Sequence, residues 1–276
     1  MVVGSKKHKI CRNIFITLGV IIVLIPPLFV FWWMFTSALK TPVDILSPVP
    51  KLIFTPTWDN FKEVLQQENF LRYMWNSLVI ATFATAIALV LGLPAAYSIA
   101  KYRQQKLALG ILVARMIPFV SYLLPWFIFF RKLNLIDTYL ALITTHLIIT
   151  LPMTIWLMIG YFEDVPDDLE EAAMVDGCSR VRSFLTITLP LVRNGVVASA
   201  ILSFIFSWNQ FLFSLILSGP RTKTVPVAVF NFISFEQINW GGLSAAATLI
   251  VLPALILTLI IQKQIVRGLT MGAVKG

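Results

Sequence analysis

Charge is what this chain has least of. Thirteen Asp and Glu stand beside 22 Lys and Arg in 276 residues, and charged side chains make up only 13% of the total. Soluble domains carry about 25%, so most of the chain has no means of facing water and an ordinary water-soluble enzyme is excluded. Cysteine is equally thin, since Cys11 and Cys178 cannot build a disulfide framework. His8 and His146 are the two histidines, and with two distant cysteines they supply no metal site. No G-x-x-x-x-G-K-[ST] phosphate loop occurs, so the chain cannot cradle ATP in the usual way. Ser, His and acid are nowhere arranged as a nucleophilic triad. The formal charge of +9 comes from scattered bases with no run long enough for a phosphate-binding face. A disordered or nucleic-acid-coating protein is thereby excluded, and the bases read as topology markers.

Apolar residues make up 58% of the chain and gather into six long runs: 14–34, 77–100, 107–130, 139–161, 192–217 and 243–261. A hydrocarbon core of about 30 Å takes roughly 20 helical residues to cross. None of the runs alternates as a barrel strand would. The expectation is an all-α polytopic membrane protein with six transmembrane helices, one membrane domain over residues 1–276. The first run exceeds twenty residues, and Phe31, Trp32, Trp33 and Phe35 crowd its far end, unlike a cleavable signal peptide. It reads as an uncleaved span kinked at Pro26-Pro27. Bases cluster in Lys6, Lys7, Lys9 and Arg12, in Lys101, Arg103 and Lys106, in Arg180 and Arg182, and in Lys263, Arg267 and Lys275. The intervening loops carry theirs more thinly, so the positive-inside rule places both termini in the cytoplasm. Small residues recur along the second, fifth and sixth runs, which serves either packing within one bundle or packing on a second membrane subunit.

One loop stands apart. Seven of the thirteen acids fall between Glu163 and Asp176. Pro166 suits a first helical position, the acids suit the positive end of the dipole, and Gly177 suits a stop. Leu169, Ala172, Ala173 and Asp176 share a face at helical spacing. Ser179 is placed to cap a second short helix, with Val181, Phe184 and Leu185 as its apolar stripe, Arg180 and Arg182 pointing away, and Pro190 as its end. From these residues alone the loop is either a solvated connector or a rigid projection for a partner's groove. The spacing adds more. Glu171-Ala172-Ala173, Gly177, Ile187 and Leu189-Pro190 match E-A-A-x3-G-x9-I-x-L-P without a gap. That pattern resembles the coupling loop of membrane subunits in ATP-driven, binding-protein-dependent importers. Asp176-Gly177, Asn76-Ser77 and the ending Gly268 to Gly276 are similar to the sugar-importing branch, above all to the second permease of maltose-type importers. Gln210 departs from it, because Trp208-Asn209 is usually followed there by an acid.

The resemblance implies a permease subunit of an ABC importer, forming half of a pathway for a carbohydrate or related solute by alternating access. Such a chain is no enzyme and carries no cofactor; ATP and Mg belong to the partner ATPase. Implied partners are a second permease subunit, two ATPase subunits, an extracytoplasmic solute-binding protein and membrane lipid, with no nucleic acid, in a bacterial or archaeal inner (cytoplasmic) membrane. ATPase coupling falls to Glu171, Ala172, Ala173, Asp176, Gly177 and Pro190. The tail residues Gly272, Lys275 and Gly276 are either a frayed end or an insert between the ATPase subunits. Phe230, Asn231, Phe232 and Ser234 either pack on the bundle or meet the binding protein. Trp208, Asn209, Gln210 and Phe211 combine rings and amides at mid-span, as solute contacts or as packing. Arg115 and Arg193 read as snorkelling or paired cations, and His146 as an interhelical hydrogen-bonder. The rival readings are an importer of a non-sugar solute, such as a glycerol phosphodiester, and a secondary transporter. The latter needs intramembrane acids, and none lies convincingly within a span.

Overall fold

The computed structural model describes residues 6–66, 69–233 and 238–273. Helix α1 (Lys6–Ala38) is followed by short α2 (Pro42–Ile45) and α3 (Asp59–Gln66), then by long α4 (Phe70–Lys101). Helices α5 (Gln105–Arg115) and α6 (Val120–Lys132) precede α7 (Tyr139–Glu163). Next come α8 (Asp167–Val175) and α9 (Arg180–Ser183), a π-helical segment at Phe184–Thr188, and α10 (Leu189–Leu191). The chain continues through α11 (Arg193–Trp208), α12 (Leu212–Leu217) and α13 (Val225–Ala228), a 3-10 turn at Val229–Phe232, and α14 (Trp240–Ala273). Among the described residues the one β feature is an isolated bridge between Ile233 and Ile238.

Four helices, α1, α4, α7 and α14, are each long and apolar enough to cross a membrane. The other two expected crossings are broken. Helices α5 and α6 meet at 88°, so residues 107–130 do not form one helix. Pro118 lies in that break, and a residue preceding proline is pushed out of the helical region. The α9–α10 stretch meets α11 at 79°. The run 192–217 is interrupted again at Asn209–Phe211, between α11 and α12. At the other end, α14 stays helical to Ala273, where the sequence suggests a flexible tail from Gly268.

The described residues fall into two compact units, one within Met1–Glu68 and Asn231–Leu249, the other within Asn69–Phe230 and Ile250–Gly276. In the first, the apolar window of α1 has none of its residues buried within the chain. Lys40, just past α1, is nonetheless buried, 2% exposed, its ammonium 4.4 Å from the Trp33 ring centre and 5.0 Å from that of Phe54. Asn60 Nδ2 donates to the carbonyls of Ala38 at 2.9 Å and Lys40 at 2.8 Å.

In the second unit α4 packs on α7 and α11. Its buried stripe runs Ala81, Ala84, Ala88, Gly92 and Ala96, a three-to-four-residue spacing that keeps one face small. Within lipid, close backbone approach and van der Waals contact replace the hydrophobic drive. A Cβ at Gly92 would lie 2.8 Å from Thr154 Cγ2, and one at Gly195 on α11 would run into the Tyr161 ring. One apolar cluster joins Leu93, Ile99, Met158, Phe162 and Val192; a second joins Ile80, Phe130, Leu142, Phe213 and Leu217. A buried polar seam accompanies them. His146 Nδ1 lies 2.7 Å from Ser207 Oγ, and Thr154 Oγ1 lies 3.0 Å from Ser203 Oγ. His146 is thus hydrogen-bonded between helices, as its position in an apolar run suggests.

Candidate functional site: a fastened helix–glycine–helix loop

The segment between α7 and α11 owes its shape to local chemistry. Pro166 takes an extended ψ of 131° as the cap residue, and Asp167, Asp168 and Glu170 fill the first turn of α8. The helix stops by a Schellman motif: Cys178 N–H donates to the Ala173 carbonyl at 2.9 Å and Gly177 N–H to that of Met174 at 3.1 Å. Gly177 sits at φ +86°, the left-handed value that motif requires. Ser179 Oγ then accepts from Arg182 N–H at 3.3 Å and caps α9.

Pro190 does not end that helix. It lies inside α10, and the turn ahead of it widens to π geometry, with Leu189 N–H donating five residues back to Phe184. The wider turn accommodates a residue that has no N–H and crowds the carbonyl four residues earlier. The helix bends instead at Val192, φ −91° and ψ 13°.

A residue without any distinguishing sequence signal, Glu170, fastens the loop. Its side chain is 6% exposed. One carboxylate oxygen accepts from Tyr97 Oη at 2.8 Å and lies 3.1 Å from Lys101 Nζ, while the other accepts from Thr188 Oγ1. Burial by itself would raise this carboxyl, but the hydrogen bonds from Thr188, Tyr97 and Lys101 outweigh it and hold the group below its ordinary value. Lys101 also pairs with Asp167 at 2.6 Å, and that hydrogen bond lowers the Asp167 carboxyl. A second tie runs from Arg180, whose guanidinium donates to Tyr102 Oη at the end of α4, so it does not point away. A cleft of about 340 Å³ opens beside these groups, with Arg103 and Gln105 on its wall.

Fastening decides which residues are presented. Glu171, Ala172, Asp176, Gly177 and Pro190 are exposed, as are Val175, Val181 and Leu185. Ala173 is turned inward and buried, so it does not share the outer face of Leu169, Ala172 and Asp176. A Cβ at Gly177 meets nothing of this chain within 4 Å. The loop therefore offers a small-residue and apolar surface, edged by Glu171, on a rigid base.

The other sequence-derived residues lie elsewhere. Trp208 is buried, donates Nε1–H to the Ile250 carbonyl at 3.0 Å and stacks on Phe204. Gln210 is buried and accepts from Leu212 N–H at 3.0 Å; exposed Asn209 donates to the Ile205 carbonyl. Phe211 stacks on Phe230 at 5.2 Å, and Phe230 keeps half its surface exposed. Asn231 is exposed and Phe232 buried, while Ser234 lies outside the described residues. Gly272 falls in α14; Lys275 and Gly276 lie outside the described residues. Arg115 and Arg193 are both exposed.

A further polar cluster, without a signal in the sequence, holds residues 219–222. Asp137 accepts from the N–H groups of Gly219 (2.9 Å), Arg221 (3.1 Å) and Thr222 (2.9 Å), and from Thr222 Oγ1 (2.7 Å). Its carboxyl, though raised by burial, is held below the ordinary value by these donors.

Residues 88–271 match the family model described as binding-protein-dependent transport system inner membrane component. The chain is 34% identical to the trehalose/maltose transport system permease protein of Thermococcus litoralis, over 98% of this chain and 99% of that one. It is 36% identical to the trehalose transport system permease protein of Mycobacterium tuberculosis, over 88% and 91%. In fold it is similar to a chain of a bacterial ABC transporter involved in the import of the acidic polysaccharide alginate, with a TM-score of 0.78 and 19% identity over 95% and 99%.

Proposed function

This chain belongs to the family of binding-protein-dependent transport system inner membrane components, and from that premise we propose how its parts divide the work. It is the permease subunit of an ABC importer, with ATP hydrolysis on a separate subunit. Its solute is a carbohydrate, the class named for both curated relatives. A second permease completes the pathway, two ATPase subunits bind ATP and Mg, and an extracytoplasmic binding protein delivers the solute. Both termini and the Glu163–Pro190 loop face the cytoplasm, in keeping with the bases at Lys101, Arg103, Lys106, Arg180 and Arg182.

The observation that carries this reading is the exposed face of Glu171, Ala172, Asp176 and Gly177 on a loop fastened through Glu170. A solvated connector has no need of a buried carboxylate with three partners. In the complex, α8 lies in a groove of the ATPase, Glu171 meets a basic rim, and closure of the ATPase pair on ATP draws the loop inward. Switching between inward and outward access is then a rigid-body rearrangement of the bundle. Gly272, Lys275 and Gly276 contact the ATPase interface. Phe230, Asn231, Phe232 and Ser234 contribute to the binding-protein side, and Trp208, Asn209, Gln210 and Phe211 border the pathway.

Mild-detergent purification of the chain should bring down an ATPase and a second permease, with ATP hydrolysis stimulated by the loaded binding protein. Gly177→Asp should leave insertion intact and release the ATPase or uncouple it, because a side chain there meets nothing of this chain within 4 Å and is free to clash with a partner, while φ +86° becomes costly. Undiminished stimulated hydrolysis in that variant rejects the docking assignment. An active protein that purifies alone rejects the importer reading.

A further inference from the structure

Helix α4 is fastened at both ends. At one end Tyr97 and Lys101 hold Glu170, Lys101 holds Asp167, and Tyr102 at its C-cap holds Arg180. At the other, Asn76 and Ser77 are buried and hold a different loop. Asn76 Nδ2 donates to the carbonyls of Arg221 at 3.1 Å and Lys223 at 2.9 Å, and its Oδ1 accepts from Tyr139 Oη at 2.6 Å. Ser77 Oγ accepts from Val225 N–H at 2.9 Å. The two attachment points, Asn76 and Tyr97, are separated by about 32 Å along the helix, at about 1.5 Å per residue. The helix is continuous between them, through Pro94.

These ties differ in kind from the chain connection to α7. The side-chain hydrogen bonds of α8 and α9 run to α4, its C-cap and the returning π segment, whereas α7 reaches α8 through the short stretch Asp164–Pro166. Beyond that stretch, α7 meets the returning segment through apolar contact, Phe162 beside Phe184, and such contact is non-directional. A buried carboxylate held by three groups resists both slip and rotation, because each displacement leaves a desolvated partner unpaired.

We propose that α4 is a connecting rod: Glu170 joins the coupling loop to one end through Tyr97 and Lys101, Asn76 and Ser77 join residues 221–225 to the other beside the Asp137 tie, and movement of either loop reaches the other along this helix. Glu170 is the positioning residue of the joint. The rod rests on the functional reading above, which sets the α8 loop against an ATPase. A rigid element to which two sites are both attached is the physical basis for coupling at that distance.

The test uses the complete complex of this chain with its ATPase and second permease in lipid nanodiscs. A fluorophore is placed on Arg221→Cys, a side chain 82% exposed, with Cys11 and Cys178 replaced by serine. ATP with vanadate should shift the emission in the otherwise unsubstituted chain. Tyr97→Phe, which removes one hydroxyl, should diminish the shift, and Glu170→Ala should abolish it while hydrolysis continues. Solute moved per ATP should fall about tenfold in Glu170→Ala, the scale of an ordinary coupling energy. Glu170→Gln, which keeps an acceptor for Tyr97 or Thr188, should recover part of both readouts. An unaltered shift in Tyr97→Phe and Glu170→Ala alike overturns the rod. If Glu170→Ala fails to assemble, Tyr97→Phe decides alone by the same criterion. Absence of any ATPase from the purified complex overturns the functional reading beneath it instead.

Discussion

Adding one methyl group at Gly195 tests whether α11 and α7 touch as closely as described. A Cβ there would stand 2.5 Å from Tyr161 Cγ, 2.6 Å from Cδ2 and 2.8 Å from Cδ1. Carbons rest about 3.5–4.0 Å apart, so the ring is roughly an ångström too near. The atoms struck are at the root of the ring, so a small swing about its bonds does not clear them, and the helices must part. Overpacking of this kind costs about 1–3 kcal/mol. The opposite sign is expected at Gly160, where a Cβ meets nothing within 4 Å. There alanine should be neutral or should stabilise the helix by about 0.5–1 kcal/mol. Thermal unfolding of the purified chain in one detergent, monitored by tryptophan emission, gives both signs side by side. Tyr161→Ala in the Gly195→Ala background should recover most of the loss, since it clears the collision, and the resulting double-mutant cycle isolates the contact. Equal melting of Gly195→Ala and Gly160→Ala, or no recovery with Tyr161→Ala, would refute the packing.

Three further outcomes rest on single side chains. Asp137→Ala should raise amide exchange at Gly219, Arg221 and Thr222, each hydrogen bond to the charged carboxylate contributing about 1.5–3 kcal/mol. Because this carboxyl is lowered on folding, its contribution is complete above the ordinary value of 3.8 and fades as pH falls through the lower folded value. Wild-type protection of those amides should accordingly persist at pH 5 and weaken only below about pH 4. Ser179→Ala removes the α9 cap and should cost about 1 kcal/mol, restored in large part by Ser179→Asp; equal stability of the three rejects that capping role. His146→Leu strips Ser207 of a buried partner and should lower the melting temperature more than Thr144→Val, whose hydroxyl is exposed. Parity between the two would reject the polar seam.

The transmembrane character was readable because a span is a matter of length and apolarity within one stretch of chain. The coupling loop was readable for a similar reason: Pro166, Gly177 and Ser179 act on the backbone within a few residues of themselves. What escaped depended on distance. Glu170 looks like any other acid of its helix until Tyr97, 73 residues away, is brought to it. Asp137 waits in the same way on residues more than 80 positions later. The breaks had a different cause. An apolar run long enough to cross reads as unbroken, and hydropathy carries no trace of the turns at Met116–Phe119 or Asn209–Phe211. Pro190 carries a stop signal in the sequence, yet one widened turn, invisible in the residue pattern, lets the helix pass it.

That widened turn has a consequence for register. A π turn holds one residue more than the α turn it replaces, and each residue of an α-helix turns the chain by about 100°. Shortening Phe184–Thr188 by one position would restore an even helix and swing the chain on its N-terminal side by that angle relative to the chain on its C-terminal side. Thr188 would then no longer face Glu170. The azimuth of α8 about the axis that leads into α11 is therefore set by a single surplus residue. Insertions or deletions there should be far less tolerated than substitutions at Thr186, an exposed position on the same turn.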